Sequence, residues 1–241
     1  MKPVLAAERL SVSRQPGRWI IREANLSLAA GELVGVIGPS GCGKSTLCLA
    51  LAGLIPRQVP GQVEGRVYLE GQDLANLSQP QIAANLGIVF QDPQTQLFLP
   101  RARGELAFGP ENLCLPRKEI VRRLEKVARE IGCQDLLAAS PDQLSGGEQQ
   151  LVALAAVLTM EPRVLILDEV TSQLDPAASQ GLLRAVRGRR EAGTAVLMVE
   201  HNLGHLEGAD RVYLLRAGRL TEVADRDFTG EEDLDRLYGG I

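Results

Sequence analysis

Four short stretches of the chain are apolar at nearly every position: Leu33–Ile37, 86–90, 164–167 and Ala195–Val199. A strand with one wet face alternates, so unbroken runs of four or five apolar residues read as strands buried on both faces. That is the habit of a parallel sheet covered by helices. Between the last two runs, residues 176–190 place Ala177, Leu182, Leu183 and Val186 at the spacing of a crossover helix. Elsewhere the pattern changes. Residues 4–12 and 19–28 alternate loosely around the turn chemistry of Gln15-Pro16-Gly17, and residues 63–70 behave alike among Gly61, Gly65 and Gly71. These segments predict a hairpin-like pair in a small antiparallel sheet beside the parallel one. From 91 to 160 strands disappear, and Pro93, Pro100, Pro110, Pro116 and Pro141 mark off helices and loops. There Ile120, Val121, Leu124, Val127, Ala128 and Ile131 recur at helical spacing after Pro116 and stop at Gly132. Residues 211–220 read as a hairpin about Ala217-Gly218, and 231–237 as a short acidic helix. The expected class is α/β: a mainly parallel core with an antiparallel β subdomain and an inserted helical subdomain.

The first buried run ends at Gly38-Pro39-Ser40-Gly41-Cys42-Gly43-Lys44-Ser45-Thr46, which fits G-x-x-x-x-G-K-[ST] and leads into the apolar residues 47–51. Glycines let the backbone turn its N–H groups inward, and a helix starting near Lys44 adds the positive end of its dipole, so the segment reads as a polyphosphate seat. Lys44 is placed to reach the β- and γ-phosphates, and the Ser45 hydroxyl to ligate Mg²⁺. A glycine-rich turn with a surface lysine is the plain alternative; the full pattern between strand and helix weighs against it. The run 164–167 ends in Asp168 and Glu169, at the end of a parallel strand that opens on such a loop. Asp168 is the candidate Mg²⁺ holder and Glu169 the candidate to polarise an attacking water. Leu144-Ser145-Gly146-Gly147-Glu148-Gln149-Gln150 opens an apolar helix with Ser145 as N-cap, and its glycines allow close approach. Taken alone, those residues say no more than a well-capped helix.

Composition narrows the classes. The 26 Lys+Arg against 30 Asp+Glu leave a net charge of -4, and aromatics are 3%, so there is neither a basic field nor a set of stacking platforms for nucleic acid. Cys42, Cys48, Cys114 and Cys133 form no C-x-x-C pair, which reads as reduced and cytosolic. No apolar run approaches the roughly 18 residues of a membrane span, and the opening Met1-Lys2-Pro3-Val4 carries no signal peptide. A membrane role must come through a partner.

The phosphate loop, Gln91, LSGGEQQ, VLILDE, the run Ser172 to Asp175 and His201 after an apolar strand stand in the order and spacing of ATP-binding-cassette (ABC) ATPases, which the chain resembles over nearly its whole length. The resemblance implies one P-loop NTPase (RecA-like) domain: residues 1–90 and 161–220 as the nucleotide-binding core with its β subdomain, 91–160 as the helical subdomain, and 221–241 as the acidic helix. It implies ATP and Mg²⁺ as cofactors. Gln91 would join Mg²⁺ and the water, His201 would hold the γ-phosphate, and Ser145 and Gly147 would contact ATP bound to a second ABC subunit, identical or sibling, with Asp175 at the contact. Phe90 to Phe98 and Glu105 to Asn112 look like the ATPase subunits of energy-coupling-factor importers of vitamins, cobalt and nickel. Their membrane subunit would dock near Gln91 to Asn112, with Leu97, Phe98, Arg101 and Arg103 as candidates, on the cytoplasmic face of a membrane. A non-hydrolysing ATP-gated clamp and a soluble ABC ATPase unlinked to transport are the competing functions. Three departures stand out: Val12, Ser13 and Arg14 replace the usual aromatic ring on adenine, leaving Trp19 or Arg14 to stack; Val170 follows Glu169; and Leu151 follows Gln150.

Overall fold

The computed structural model describes residues 2–223, so the segment 231–237 lies outside it. The strands are β1 Leu5–Gln15, β2 Arg18–Leu28, β3 Leu33–Ile37, β4 Gln62–Leu69, β5 Gln72–Asp73, β6 Leu86–Val89, β7 Val164–Asp168, β8 Ala195–Val199, β9 Arg211–Arg216 and β10 Arg219–Glu222. The helices are α1 Lys44–Leu51, α2 Gln79–Ala83, α3 Ala102–Asn112, α4 Arg117–Ile131, α5 Gly146–Leu158 and α6 Pro176–Glu191.

Two sheets result. The larger runs β10-β9-β3-β8-β7-β6, parallel from β9 through β6, with β10 folded back antiparallel on β9. Every residue of β3, β7 and β8 is buried, as their unbroken apolar runs require. Their side chains still alternate between two cores. Val164, Ile166, Leu197 and Val199 face α1 and the smaller sheet; Leu165, Leu167, Val196 and Met198 face the core containing α4, α5 and α6. Each such side chain is worth about 1.5–3 kcal/mol when withdrawn from water. Both faces therefore clamp the strands, and their carboxyl ends become rigid mounts. The smaller sheet, β2-β1-β4-β5, is antiparallel throughout. It is pinned to the larger at Gly218, whose carbonyl accepts from Arg22 N at 2.7 Å.

Between β6 and β7 lie α3, α4 and α5. In α4, Leu124, Val127, Ala128 and Ile131 are buried, and Gly132 stops the helix with a left-handed φ of 80°. One expectation from the prolines fails. Pro110 lies inside α3 rather than at its edge. A proline there lacks the N–H that Leu106 carbonyl should accept. Thr159, just after α5, brings its hydroxyl within 2.8 Å of that carbonyl and 2.7 Å of the Ala156 carbonyl, so its one proton is shared between the two acceptors.

Candidate functional site

The chain leaves β3, loops from Gly38 to Gly43 and enters α1. Gly43 has φ of 111°, where a side chain is strained, and a β-carbon there would stand 2.6 Å from Ile20 Cγ2. Gly38 is not left-handed; it is small because a β-carbon would stand 2.4 Å from the Leu215 carbonyl. No side chain caps α1, so its first amides face the loop and give it a positive lining. The Cys42 thiol is pushed up by burial and stays protonated, adding no charge.

A cavity of about 790 Å³ opens over this loop. Lys44 is buried beneath it and donates Nζ to the carbonyls of Gly38 at 2.8 Å and Pro39 at 3.2 Å. Nζ also pairs with Glu169 Oε1 at 3.2 Å, and the same oxygen lies 2.8 Å from His201 Nε2. Three elements thus converge: α1 brings Lys44, the end of β7 brings Glu169, and the end of β8 brings His201. Glu169 has a left-handed φ of 52°, a conformation held only by its surroundings. Its N–H donates to Val199 carbonyl at 3.0 Å, and its own carbonyl accepts from Ser172 N at 3.2 Å and Ser172 Oγ at 2.8 Å.

Asp168, at the last position of β7, is buried and its carboxyl is pushed up by that burial, partly offset by a hydrogen bond with Ser45. Asp168 Oδ1 has no hydrogen-bond partner. Gln91 lines the cavity with Ser40, Ser45 and Thr46. The chain before it is tied twice: Phe90 carbonyl accepts from Gln150 Nε2 at 3.1 Å, and Gln96 holds Ile88 carbonyl and Phe90 N–H.

The remaining expected residues lie elsewhere. Ser145 caps α5 in a reciprocal box with Glu148, whose carboxylate accepts from Ser145 N and Oγ, both at 2.8 Å. Gly147 backs onto Gln173 and Leu174, leaving only 3.4 Å for a β-carbon, and Asp175 caps α6 by accepting from Ala178 N at 2.9 Å. None of Ser145, Gly147 and Asp175 lines the cavity over Lys44.

Toward the outer part of the cavity, Arg14, Arg18, Ile20 and Pro60 form the wall; Trp19 is not part of it. The register of β2 on β1 shifts here, with Val12 opposite Ile21 and Ser13 opposite Trp19, and this irregularity leaves Ile20 turned toward Gly43. Of the outer patch, Phe98 and Phe108 are exposed and meet edge to face with centroids 5.0 Å apart. Arg101 and Arg103 are exposed beside them, whereas Leu97 packs partly into the core. The buried Glu105 carboxylate accepts from Phe98 N and Leu99 N and so braces the loop that carries Phe98. Sequence reasoning missed Arg18, Ile20 and Pro60, and gave no role to Gln96, Gln150 or Phe108, although Gln150 lies within LSGGEQQ and Gln96 and Phe108 lie within the stretches Phe90 to Phe98 and Glu105 to Asn112.

Residues 21–172 match the family model described as ABC transporter. The chain is 41% identical over 218 residues to the energy-coupling factor transporter ATP-binding protein EcfA of Methanosarcina acetivorans, covering 90% of this chain and 78% of that one. It is 43% identical to a putative ABC transporter ATP-binding protein of Pyrococcus abyssi, covering 91% and 80%. Among solved structures it superposes on cbiO1 of Clostridium perfringens, described as part of the ABC transporter complex cbiONQ. That match has a TM-score of 0.81 at 28% identity and covers 98% and 94% of the two chains. A phosphate loop facing a strand-end carboxylate, in a chain that shares two fifths of its residues with such relatives across nine tenths of its length, belongs to the ABC transporter family as an ATP-hydrolysing cassette.

Proposed function

We propose that the cavity over Lys44 binds ATP with Mg²⁺, and that hydrolysis there drives a membrane importer of the energy-coupling-factor type, for a vitamin or a transition metal ion such as cobalt or nickel. The observation that carries the catalytic reading is the sharing of Glu169 Oε1 between Lys44 and His201. A γ-phosphate entering the loop competes for both donors. Lys44 turns to the phosphate oxygens, His201 donates to the γ-phosphate, and the released Glu169 carboxylate accepts the proton of a water aligned for attack. Gly38, Pro39, Ser40, Gly41, Cys42, Gly43 and Thr46 supply the cradle around the phosphates.

The donor set suits Mg²⁺. Asp168 offers a buried oxygen without a partner, Ser45 a hydroxyl already bonded to Asp168, and Gln91 an amide oxygen on the same cavity. All are hard oxygen donors. Bound there, Mg²⁺ would neutralise charge on the nucleotide phosphates. Arg14, on the wall of the cavity with Ile20, is the guanidinium available to stack on the base.

Ser145 and Gly147 lie away from this cavity on a capped helix start, so they serve the ATP of a second cassette, identical or sibling, with Asp175 at the contact. The exposed Phe98 and Phe108 pair, flanked by Arg101 and Arg103, is the docking face for the integral membrane subunit. With no helix among the described residues long and apolar enough to cross a membrane, this subunit is what holds the chain at the membrane surface.

Glu169→Gln is the direct trial. Phosphate release in the presence of Mg²⁺ should fall by about 10²–10⁴-fold while ATP binding persists; equal release by both proteins would remove Glu169 as the base.

A further inference from the structure

Behind the cavity lies a second set of polar groups. Glu200 follows β8 immediately and precedes His201, so the two side chains leave the strand on opposite faces: His201 toward the cavity, Glu200 into the interior. Only 4% of the Glu200 side chain is exposed. Thr171 Oγ1 lies 2.9 Å from both Glu200 carboxylate oxygens and 2.9 Å from His205 Nδ1, and His205 Nδ1 lies 3.5 Å from Glu200 Oε2. A hydroxyl has one proton to give, and a carboxylate oxygen accepts. Thr171 therefore donates to Glu200 and accepts from His205, which fixes the Nδ1–H tautomer of that ring.

The three residues come from two loops. Thr171 stands two positions after Glu169, and Glu200 one position before His201. The loops are thus joined in front by the Glu169 to His201 contact, by the Val199 carbonyl to Glu169 N–H bond between backbones, and behind by the buried Thr171 and Glu200 with the partly exposed His205. The front contact is the one a phosphate must open. The rear one keeps its partners when that happens, because none of its atoms belongs to the cradle. We infer that Thr171, Glu200 and His205 form a positioning clamp that fixes the separation of Glu169 and His201 while their mutual contact is broken by nucleotide. The inference rests on the catalytic reading above.

The clamp is tested in the purified full chain, with kcat and KM for ATP measured separately and ATP affinity measured by direct titration. Thr171→Val keeps the shape and deletes the hydroxyl. It should lower kcat on the order of tenfold to a hundredfold, as a small displacement of catalytic groups does, with KM and ATP affinity unchanged. Thr171→Ser, which restores the hydroxyl, should recover wild-type kcat. A Thr171→Val protein with wild-type kcat, a loss that appears equally in KM, or a serine variant that fails to recover would each overturn the clamp. Should the valine variant not fold, Glu200→Gln asks the same question: reduced kcat at constant KM supports the clamp, and wild-type kcat overturns it. Glu169→Gln, run alongside, separates the two readings. If it hydrolyses ATP like wild type, both fall; if it is dead and Thr171→Val keeps wild-type kcat, only the clamp falls.

Discussion

The loop at Gly38 and the helix start at Ser145 are both glycine-rich openings of a helix, yet the chain treats them differently. Around Lys44, charge is concentrated and locked: a buried ammonium, a carboxylate in a left-handed turn and an imidazole all touch within one cavity. Around Ser145, the polar groups satisfy one another locally, since Glu148 closes the cap and Asp175 caps the neighbouring helix. Both can face an anion through backbone amides. Only the first carries the cations and the base that phosphoryl transfer needs. On the proposed function, the contrast divides the site: one region would bind and cleave, and the other would complete a site in a second cassette.

The sharpest way to break that division is to spoil the second region alone. Ser145→Arg puts a long cation at the start of α5 and should reduce hydrolysis by about 10²–10³-fold, the loss typical of one transition-state donor, with ATP binding to the free chain unchanged. Weakened binding would mean that Ser145 serves its own chain's nucleotide. The converse substitution acts at the first step. Lys44→Ala should weaken ATP binding by about 10- to 100-fold, the worth of a hydrogen bond to a charged group, as read by direct titration.

A smaller effect sharpens the same comparison through pH. Burial holds the Asp168 carboxyl above its ordinary range, so the folded state favours its proton. Its contribution to stability is present at low pH and lost as pH rises through the folded value. Glu148 has the opposite sign: the Ser145 N–H and hydroxyl hold its carboxyl below its ordinary range. Its contribution is present above the unfolded value of about 4.3 and lost as pH falls through the folded one. Asp168→Asn should therefore raise the melting temperature near neutral pH. Glu148→Gln should lower it slightly there and flatten the acid limb of the profile. Thermal scans across pH check both, and shifts of the same sign would show that the two regions are not electrostatically distinct.

What the sequence made legible was whatever lies in consecutive residues. Strand interiors betrayed themselves by unbroken apolar runs because both faces are covered, and the phosphate loop and the Asp168-Glu169 strand end are continuous words. Pro110 was misread because the hydroxyl that reaches the freed Leu106 carbonyl comes from Thr159, 53 positions from Leu106. The clamp was invisible for the same reason, since Thr171, Glu200 and His205 meet only when adjacent strands align the ends of β7 and β8. The outer wall of the cavity turned on the register of β2 on β1. Trp19 and Ile20 are neighbours in the chain, and only the twist and register of the strand decide that Ile20 faces the phosphate loop.

The bond from Gln150 Nε2 to Phe90 carbonyl is a single rivet between a helix and a strand end. The amide sits one turn into the helix that Ser145 opens, and the carbonyl belongs to the residue before Gln91. A tilt of α5 relative to β6 must either shear that rivet or drag the Gln91 backbone with it. Whatever leans on Ser145 from outside is thereby geared to the amide that borders the cavity over Lys44, without any residue having to travel between the two places.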